Sequence, residues 1–318
     1  LLIILTLSLR FWNLNEMGRT WDEGAYSENG YTMNNLILNK DFNNPFFKFT
    51  FDHPPLGRYL YGLASSFDIQ SFDKNGIPIY NYDYTYARLM AILFSTLSVL
   101  LVTLFGWKYI SPFVGITAGI ILAMLPTFLG YSQLATLESP VMFFFTLAIF
   151  LFINLLHKFS LKNLVLTGIF TGLALGVKQT NIFIYPLFVT IYLVWYFLKD
   201  KKSRPNLIKQ IVIPFFSIFI ISGITFVLLW PTAFSNLNDA IAVERSMWFS
   251  SEVKLPPPEV FFGRLMLVPI VYYPVYFLIT TPFLIIFLFF IGMKVIDIRK
   301  KFVLYAVLLW FLLPFFQS

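Results

Sequence analysis

Long apolar segments separated by short charged ones make up most of the chain. A hydrocarbon core about 30 Å thick needs roughly 20 helical residues to cross it, so the gaps between charges indicate candidate spans. The apolar run at 1–9 predicts the tail of a truncated first span, and 17–83 is charged too often to cross. Eight uncharged segments bring the predicted number of spans to nine: 89–107, 109–137, 139–157, 163–177, 179–198, 210–238, 265–293 and 302–318.

The composition agrees with a membrane protein and excludes several other classes. Apolar residues make up 58% of the 318 residues, charged residues make up 12%, and the mean hydropathy is +0.74. A soluble domain carries roughly 25% charge, about twice as much. The absence of cysteine excludes a disulfide scaffold and a thiol-ligated metal site. We therefore predict an all-α polytopic membrane protein in which 1–318 forms a single transmembrane domain.

The distribution of charge predicts the orientation. With the N-terminus in the cytoplasm, the inner loops hold 12 basic and two acidic residues, and the outer segments hold 11 basic and 14 acidic residues. Basic residues in short inner loops are typical of the cytoplasmic side. The net charge of +7 therefore reflects topology, and we expect no nucleic-acid partner.

Two outer segments, 15–86 and 231–264, are long, and long loops on a rigid scaffold often carry function. In the first, Thr20-Trp21-Asp22-Glu23 predicts a capping box that starts a helix ending near Leu38. One interpretation is purely structural, because the helix dipole favours acids in the first turn. Neighbouring helical side chains diverge by roughly 100°, however, so one carboxylate can be structural while the other faces a cleft.

A second helix start is predicted at Asp52-His53-Pro54-Pro55. The helix is too short to span, so we expect it to lie along the membrane surface. Its N-terminus, with Arg58 in the first turn, suits an anion. A lone histidine such as His53 is more often a structural hydrogen-bonding residue than a ligand. The apolar residues at helical spacing are Leu56, Tyr59, Leu60, Leu63, Ala64 and Phe67.

Charges at the outer membrane edge form the remaining candidate cluster. Only 15 residues separate Lys162 from Lys178. As a helix they cover about 22 Å, which places Lys178 near the outer headgroups. Ionisable residues there usually have an anionic partner, although snorkelling is the alternative. Arg88 and Glu138 each begin a span on the same side, either as plain helix-end charges or as parts of one site with Asp22, Glu23 and Lys178.

Five motifs in order resemble the dolichyl-phosphate-mannose–protein mannosyltransferases and the wider lipid-linked-sugar glycosyltransferases of the GT-C fold. They are Trp21-Asp22-Glu23, His53-Pro54-Pro55-Leu56-Gly57-Arg58, Ala87-Arg88-Leu89, Leu137-Glu138-Ser139-Pro140 and Gly172-Leu173-Ala174-Leu175-Gly176-Val177-Lys178. The aminoarabinose transferases to lipid A are also similar, but they usually have lysine where His53 stands. Glu138 and Gln179 depart from the family, which usually has aspartate and tryptophan there.

The resemblance implies a GT-C helical bundle and a set of residue roles. Asp22 matches the catalytic base, and Glu23 would support it or contact the acceptor. Arg88 and Lys178 would lie near the lipid phosphate, with His53 and Glu138 in support. We also assign Arg58, or alternatively Arg264, to the phosphate. The outer segment 240–258, with Trp248 and Phe249, either closes over the site or is a passive connection.

The residue pattern fits a lipid-phosphate-sugar donor better than a nucleotide sugar. The chain has no Asp-x-Asp, no Gly-rich phosphate loop and no metal-ligand cluster. Lysine and arginine can stabilise a polyprenyl monophosphate as it leaves, and a carboxylate can take the proton of an attacking hydroxyl. These features predict inverting single displacement onto a protein or glycan hydroxyl. No cofactor is certain, and a divalent metal stays an open alternative.

Two alternatives remain beside transfer of mannose or another hexose to protein Ser/Thr. One is a transferase of an aminosugar or pentose to lipid or glycan. The other is a transporter or flippase, whose usual signs are charges buried in mid-span or broken helices in repeated halves. The spans lack those signs. We expect an integral protein of a prokaryotic plasma membrane, in contact with membrane lipid, with its active site on the extracytoplasmic face.

Overall fold

The computed structural model describes residues 1–48, 53–81, 83–199, 212–249, 258–267, 271–295 and 301–312. The chain divides into two compact units. The first unit contains Leu1–Ile184 and Asn206–Val243, and the second contains Tyr185–Pro205 and Glu244–Ser318. The candidate residues of the first outer segment and of the motifs up to Lys178 all belong to the first unit, apart from Asp52, which lies outside the described residues.

Helices dominate the described ranges. They are α1 Leu2–Phe11, α2 Trp21–Leu38, α3 Leu56–Ser65, α4 Thr85–Tyr109, α5 Pro112–Met124, α6 Pro126–Tyr131, α7 Glu138–His157, α8 Leu161–Val177, α9 Ile184–Phe197, α10 Ile213–Leu229, α11 Pro231–Ser235, α12 Leu237–Phe249, α13 Tyr272–Thr280, α14 Phe283–Val295 and α15 Lys301–Leu312. Short 3₁₀ helices form at Leu14–Glu16, Pro45–Lys48 and Gln179–Phe183.

Three helical stretches in the described ranges are long and apolar enough to cross a membrane: Thr85–Tyr109, Glu138–His157 and Gln179–Phe197. A fourth span results if Tyr272–Thr280 and Phe283–Gly292, which meet at 103°, are counted as one. Shorter apolar helices are α5, α8 and α10. The membrane-protein class is therefore confirmed, while the number of nine spans stays a prediction.

The uncharged segment 109–137 is not one helix. It divides into α5 and α6, and Leu125 between them has an extended backbone with ψ 118°. A residue that precedes proline disfavours helical geometry, and Pro126 follows Leu125. The chain after α6 then forms the connection 132–137, which reaches the site described below.

Two small hairpins depart from the all-α prediction. Strands β1 Ile69–Phe72 and β2 Pro78–Tyr80 pair antiparallel, as do β3 Glu259–Phe261 and β4 Arg264–Met266. In the first hairpin, Asp73 Oδ1 accepts from the backbone N–H groups of Asn75 and Ile77 at 2.8 and 2.7 Å. Gly76 completes the turn at φ 77°, a conformation that glycine adopts without strain.

Helices α2 and α3 pack so closely that their backbones touch. A Cβ on Gly62 would overlap the backbone of Gly30 and Tyr31, and a Cβ on Gly30 would overlap the carbonyl of Arg58. Asn34 Nδ2 also donates across the interface, to Tyr59 O at 3.0 Å. Helices α2 and α3, which hold three of the seven candidate residues, therefore form one closely packed pair.

The apolar stripe of α3 is divided between buried and exposed positions. The helix begins at Leu56, so Pro54 and Pro55 precede its first turn. Small and polar residues form its most buried positions, and Leu63 and Phe67 of the stripe are exposed. Leu56 and Ala64 of the same stripe are buried, and Tyr59 and Leu60 pack against the core. The stripe thus packs on the protein only in part, and its contact with the membrane surface stays a prediction.

The second long outer segment is more helical than expected. Helices α11 and α12 occupy much of it, and α12 includes Trp248 and Phe249. Residues 250–257 of the predicted closing segment lie outside the described residues. Arg264 lies in β4 in the second unit, and its role stays a prediction.

Candidate active site

The start of α2 separates the two neighbouring carboxylates. Thr20 is the N-cap residue, and its backbone N–H donates to Glu23 Oε2 at 3.0 Å. Glu23 is fully buried, whereas Asp22 is exposed. This outcome follows from the roughly 100° between adjacent helical side chains. The predicted helix is confirmed, including its end at Leu38.

Glu23 forms a bidentate ion pair with Arg88, in the first turn of α4. Arg88 Nε donates to Glu23 Oε1 at 2.7 Å, and Nη2 donates to Oε2 at 2.9 Å. The two side chains are 0% and 1% exposed. Buried charges are tolerated when they are paired and hydrogen bonded. The planar guanidinium supplies both the opposite charge and two parallel hydrogen bonds to the carboxylate. The pair fastens the start of α2 to the start of α4.

The other N–H groups of Arg88 donate to the chain that joins α1 to α2. Nη1 donates to Leu14 O at 2.9 Å and to Met17 O at 3.2 Å, and Nη2 donates to Gly18 O at 3.1 Å. Together with the two bonds to Glu23, these contacts use all five N–H groups of the guanidinium. The expectation that Arg88 holds a lipid phosphate is therefore corrected, because each of its donors already has an acceptor in the protein.

The connection 132–137 joins this ion pair to α3 through its backbone. Ala135 N–H donates to Glu23 Oε1 at 3.1 Å, and Tyr61 donates its hydroxyl proton to Thr136 O. Burial, together with the negative charges of Glu138 and Glu23, raises the pKa of Tyr61, so the hydroxyl stays protonated and remains a donor.

Lys178 lies next to this connection, at the end of α8. It is the C-cap residue of α8, and its Nζ is 3.8 Å from Oε1 of Glu138, the first residue of α7. The two side chains are 32% and 43% exposed. The anionic partner expected for Lys178 is thus Glu138, and these two charges of the predicted cluster lie together.

His53 connects the neighbour of Lys178 to α2 and α3. His53 Nδ1 is 3.2 Å from Gln179 Oε1, and the His53 and Tyr26 ring centroids are 6.5 Å apart. Arg58 Nη1 donates to His53 O at 2.8 Å, and its guanidinium carbon lies 5.3 Å from the Tyr26 ring centroid. The structural interpretation of His53 is the one that this geometry favours.

Arg58 is too deeply buried to meet a phosphate at the surface of the protein. Its side chain is 2% exposed and lies between His53 and Tyr26. This burial does not support the expectation that Arg58 binds the lipid phosphate, and the contacts that the structure shows for Arg58 are with His53, just before α3, and with Tyr26 of α2. Of the three cations predicted for the phosphate, Lys178 is the accessible one.

A cleft of about 610 Å³ opens along another face of α2. Its residues recur at helical spacing from Trp21 to Asn29, and Trp21 is 89% exposed. Within it, Arg19 Nη2 lies 3.5 Å from Glu28 Oε1, and Tyr84 donates its hydroxyl proton to Glu28. The lining is Arg19, Thr20, Trp21, Gly24, Ala25, Glu28 and Asn29.

Sequence reasoning missed several of these groups. The place of Glu28 in this cleft could have been predicted, because it lies seven residues after Trp21 and therefore on the same face of α2. Ala135 and Thr136 act through backbone atoms, which leave no signal in the residue type. Among the described residues, no group of three His, Asp or Glu side chains lies close enough together to hold a metal ion.

The geometry defines a class of protein: an integral membrane protein of long apolar helices whose acidic and basic side chains meet at one end of the first unit. The family model for dolichyl-phosphate-mannose-protein mannosyltransferase matches residues 1–238, well over half of the chain. The chain therefore belongs to this family of membrane glycosyltransferases, as the five motifs suggest. Comparison with curated proteins gives no significant match.

A solved structure has a similar fold. It is the S. cerevisiae protein O-mannosyltransferase Pmt1-Pmt2 complex bound to the sugar donor, with a TM-score of 0.50 and 18% sequence identity. The match covers 74% of this chain and 34% of the yeast chain. This chain thus spans about a third of the length of its solved relative, and at this identity the likeness concerns the fold alone.

Proposed function

We propose that this protein transfers mannose, or another hexose, from a polyprenyl or dolichyl monophosphate donor to a hydroxyl group. In this proposal the acceptor is a serine or threonine of a protein. Family membership supports the donor class and the protein acceptor. The acids of the outer segments and the basic inner loops support an active site on the extracytoplasmic face, in the plasma membrane of a prokaryote.

The observation that carries the proposal is the series of contacts from the start of α2 to Lys178. Tyr26 lies one helical turn after Asp22, and its ring packs against His53. His53 meets Gln179, the residue that follows Lys178. An accessible carboxylate and an accessible ammonium group therefore belong to elements that touch. A transporter has no particular need for this pairing, whereas a transferase needs both groups.

Asp22 is the base of the proposed reaction. It takes the proton of the acceptor hydroxyl while that oxygen bonds to the anomeric carbon, and the bond from this carbon to the phosphate oxygen breaks with its electron pair on the phosphate. The attack and the departure take place on opposite faces of the sugar, so the anomeric configuration inverts. Such a base contributes on the order of 10²- to 10⁴-fold to the rate. Its exposure leaves room for a macromolecular acceptor.

Lys178 is the group that stabilises the leaving phosphate. It is 32% exposed, so an ammonium N–H can reach an oxygen outside the protein surface. A cation placed where negative charge develops lowers the barrier more than it strengthens binding of the donor. Because α8 ends just before this residue, the lipid tail of the donor can stay among the apolar helices.

Glu23, Arg88 and Arg58 are positioning residues in this mechanism. The Glu23–Arg88 pair fixes the first turn of α2 and with it the backbone of Asp22. Arg58 holds His53, which contacts Gln179 beside Lys178. The buried pair therefore orients the base, and Arg58 supports the phosphate side.

The test is transfer of labelled mannose from polyprenyl-phosphate mannose to a Ser/Thr peptide, measured in membranes that contain the full-length protein. Asp22→Asn should reduce the rate at least 100-fold and lower thermal stability only slightly, because the side chain is exposed and lies in the first turn of α2. Asp41→Asn removes another exposed carboxylate of the same outer segment and should leave the rate unchanged. Unimpaired transfer by Asp22→Asn would exclude Asp22 as the base, and transfer only to glycans or lipids would exclude the protein acceptor.

A further inference from the structure

Glu138 is an unusual neighbour for a lysine that is to receive a phosphate. Its Oε1 lies 3.8 Å from Lys178 Nζ, and both side chains are partly exposed. Tight charge-assisted hydrogen bonds are about 2.7–2.9 Å long, so this pair is loose, and exposed pairs of this kind contribute little stability. The arrangement therefore needs a reason other than fold stability.

Glu138 also lies at the edge of an apolar groove. The groove has a volume of about 270 Å³ and lies between the ends of α5, α6 and α7, and hydrocarbon is the material that such a surface accommodates. A lipid phosphate with part of its tail there has its headgroup beside both Glu138 and Lys178. The groove is lined by Leu122, Leu125, Thr127, Phe128, Tyr131, Glu138, Ser139 and Met142.

The proposed transfer changes the charge of the lipid phosphate. The donor is a phosphodiester with one negative charge. When the bond to the sugar breaks, the oxygen of the polyprenyl phosphate keeps the electron pair, and the product is a phosphomonoester. The second pKa of a phosphomonoester is about 6, so at neutral pH it carries about −1.5 to −2 charges. A carboxylate nearby therefore repels the product more than it repels the donor.

We propose that Glu138 makes the lipid-phosphate site select the donor over the spent polyprenyl phosphate. This inference rests on the proposed function. A phosphate oxygen bound at about 3 Å from Lys178 Nζ lies within roughly 7 Å of the Glu138 carboxylate, given the 3.8 Å between the two side chains. Lys178 attracts both lipids, and Glu138 opposes the additional charge that only the product carries. Product release is thereby built into the site.

The experiment compares inhibition by polyprenyl phosphate with the KM for polyprenyl-phosphate mannose, in the full-length protein. Glu138→Gln should lower the ratio of the product inhibition constant to the donor KM by roughly tenfold. This is the expected effect of removing one partly exposed charge at roughly 7 Å from the bound phosphate. Glu138→Asp keeps the charge and should keep the ratio near that of the wild type. Glu16→Gln makes the same substitution at another exposed outer glutamate and should leave the ratio unchanged.

The outcomes separate this inference from the proposed function. If the wild type transfers the sugar and Glu138→Gln leaves the ratio unchanged, the role of Glu138 is wrong while the transferase proposal stands. An equal fall in the ratio for Glu138→Asp also overturns it, because the effect would then not depend on charge. If the wild type transfers nothing from the lipid phosphate, both proposals are wrong.

Discussion

Arg88 and Glu23, 65 residues apart in sequence, form a bidentate ion pair that is almost completely buried. Neither residue is free to act on a substrate, since each of the five Arg88 N–H groups and both Glu23 oxygens have partners in the protein. The pair instead fixes the first turn of α2, which includes the exposed residue Asp22.

Glu23→Gln should destabilise the protein strongly, because it leaves the Arg88 charge buried without its counter-charge. Breaking a buried ion pair on one side costs about 3–5 kcal/mol. Thermal unfolding in detergent, followed by intrinsic fluorescence, measures the loss. Glu28→Gln is the matched control: Glu28 lies on the same helix with 42% exposure, and it should cost much less. Equal losses for the two variants would contradict the importance of the buried pair.

Gly62→Ala should separate α2 from α3. The added Cβ overlaps the backbone of Gly30 and Tyr31, which cannot move aside as a side chain would. Overpacking of this kind costs about 1–3 kcal/mol or more, and we expect activity to fall with stability because both helices carry site residues. Gly223→Ala is the control, since a Cβ at that helical glycine meets no atom within 4 Å. Unchanged stability of Gly62→Ala would mean that the close packing is not required.

Lys178→Gln should raise the KM for the lipid-phosphate donor and lower kcat, since it removes the charge that faces the leaving phosphate. A contribution of about 3 kcal/mol, or roughly 100-fold in kcat/KM, is typical of one such electrostatic donor. Lys178→Arg keeps the charge and should retain more activity. Lys162→Gln changes an exposed lysine near the other end of α8 and should have no effect on kcat/KM. A normal kcat/KM for Lys178→Gln would remove Lys178 from the mechanism.

Tyr61→Phe should loosen the connection 132–137 while leaving α3 folded. The variant removes the hydrogen bond to Thr136 O and leaves this carbonyl without its hydroxyl donor. Loss of one such buried bond costs about 1–3 kcal/mol. Because Glu138 follows this connection, we expect kcat to fall together with stability, as measured by labelled-sugar transfer and thermal unfolding. Tyr273→Phe, at a tyrosine of α13 that is 43% exposed and lies in the second unit, should change neither measurement.

Much of this site could be predicted where the signal lies in residue type and spacing. The capping box at Thr20 predicts α2 and the divergence of Asp22 from Glu23, and both are confirmed. The 15 uncharged residues between Lys162 and Lys178 predict a helix, and α8 ends at Val177, just before Lys178. The place of this lysine at the outer membrane edge stays a prediction. Local pattern is sufficient in these cases because helix starts, ends and faces depend on nearby residues.

The contacts of Arg88 and Arg58 could not be predicted, because a sequence gives the position of a cation along the chain but not the groups that it faces. Three of the acceptors of Arg88 are backbone carbonyls at Leu14, Met17 and Gly18, which any residue type supplies. Pro126 is a local signal for the break between α5 and α6, but a span predicted from the number of uncharged residues takes no account of proline. Charge spacing measures length and is insensitive to kinks.

The distance in sequence between Glu23 and Arg88 also bears on biosynthesis. The glutamate leaves the ribosome 65 residues before the arginine, so the counter-ion is already present when α4 is made. This contact between α2 and α4 can therefore form once α2 and α3 have been made and while most of the later helices are still unsynthesised, and an Arg88 variant should be degraded more quickly during synthesis.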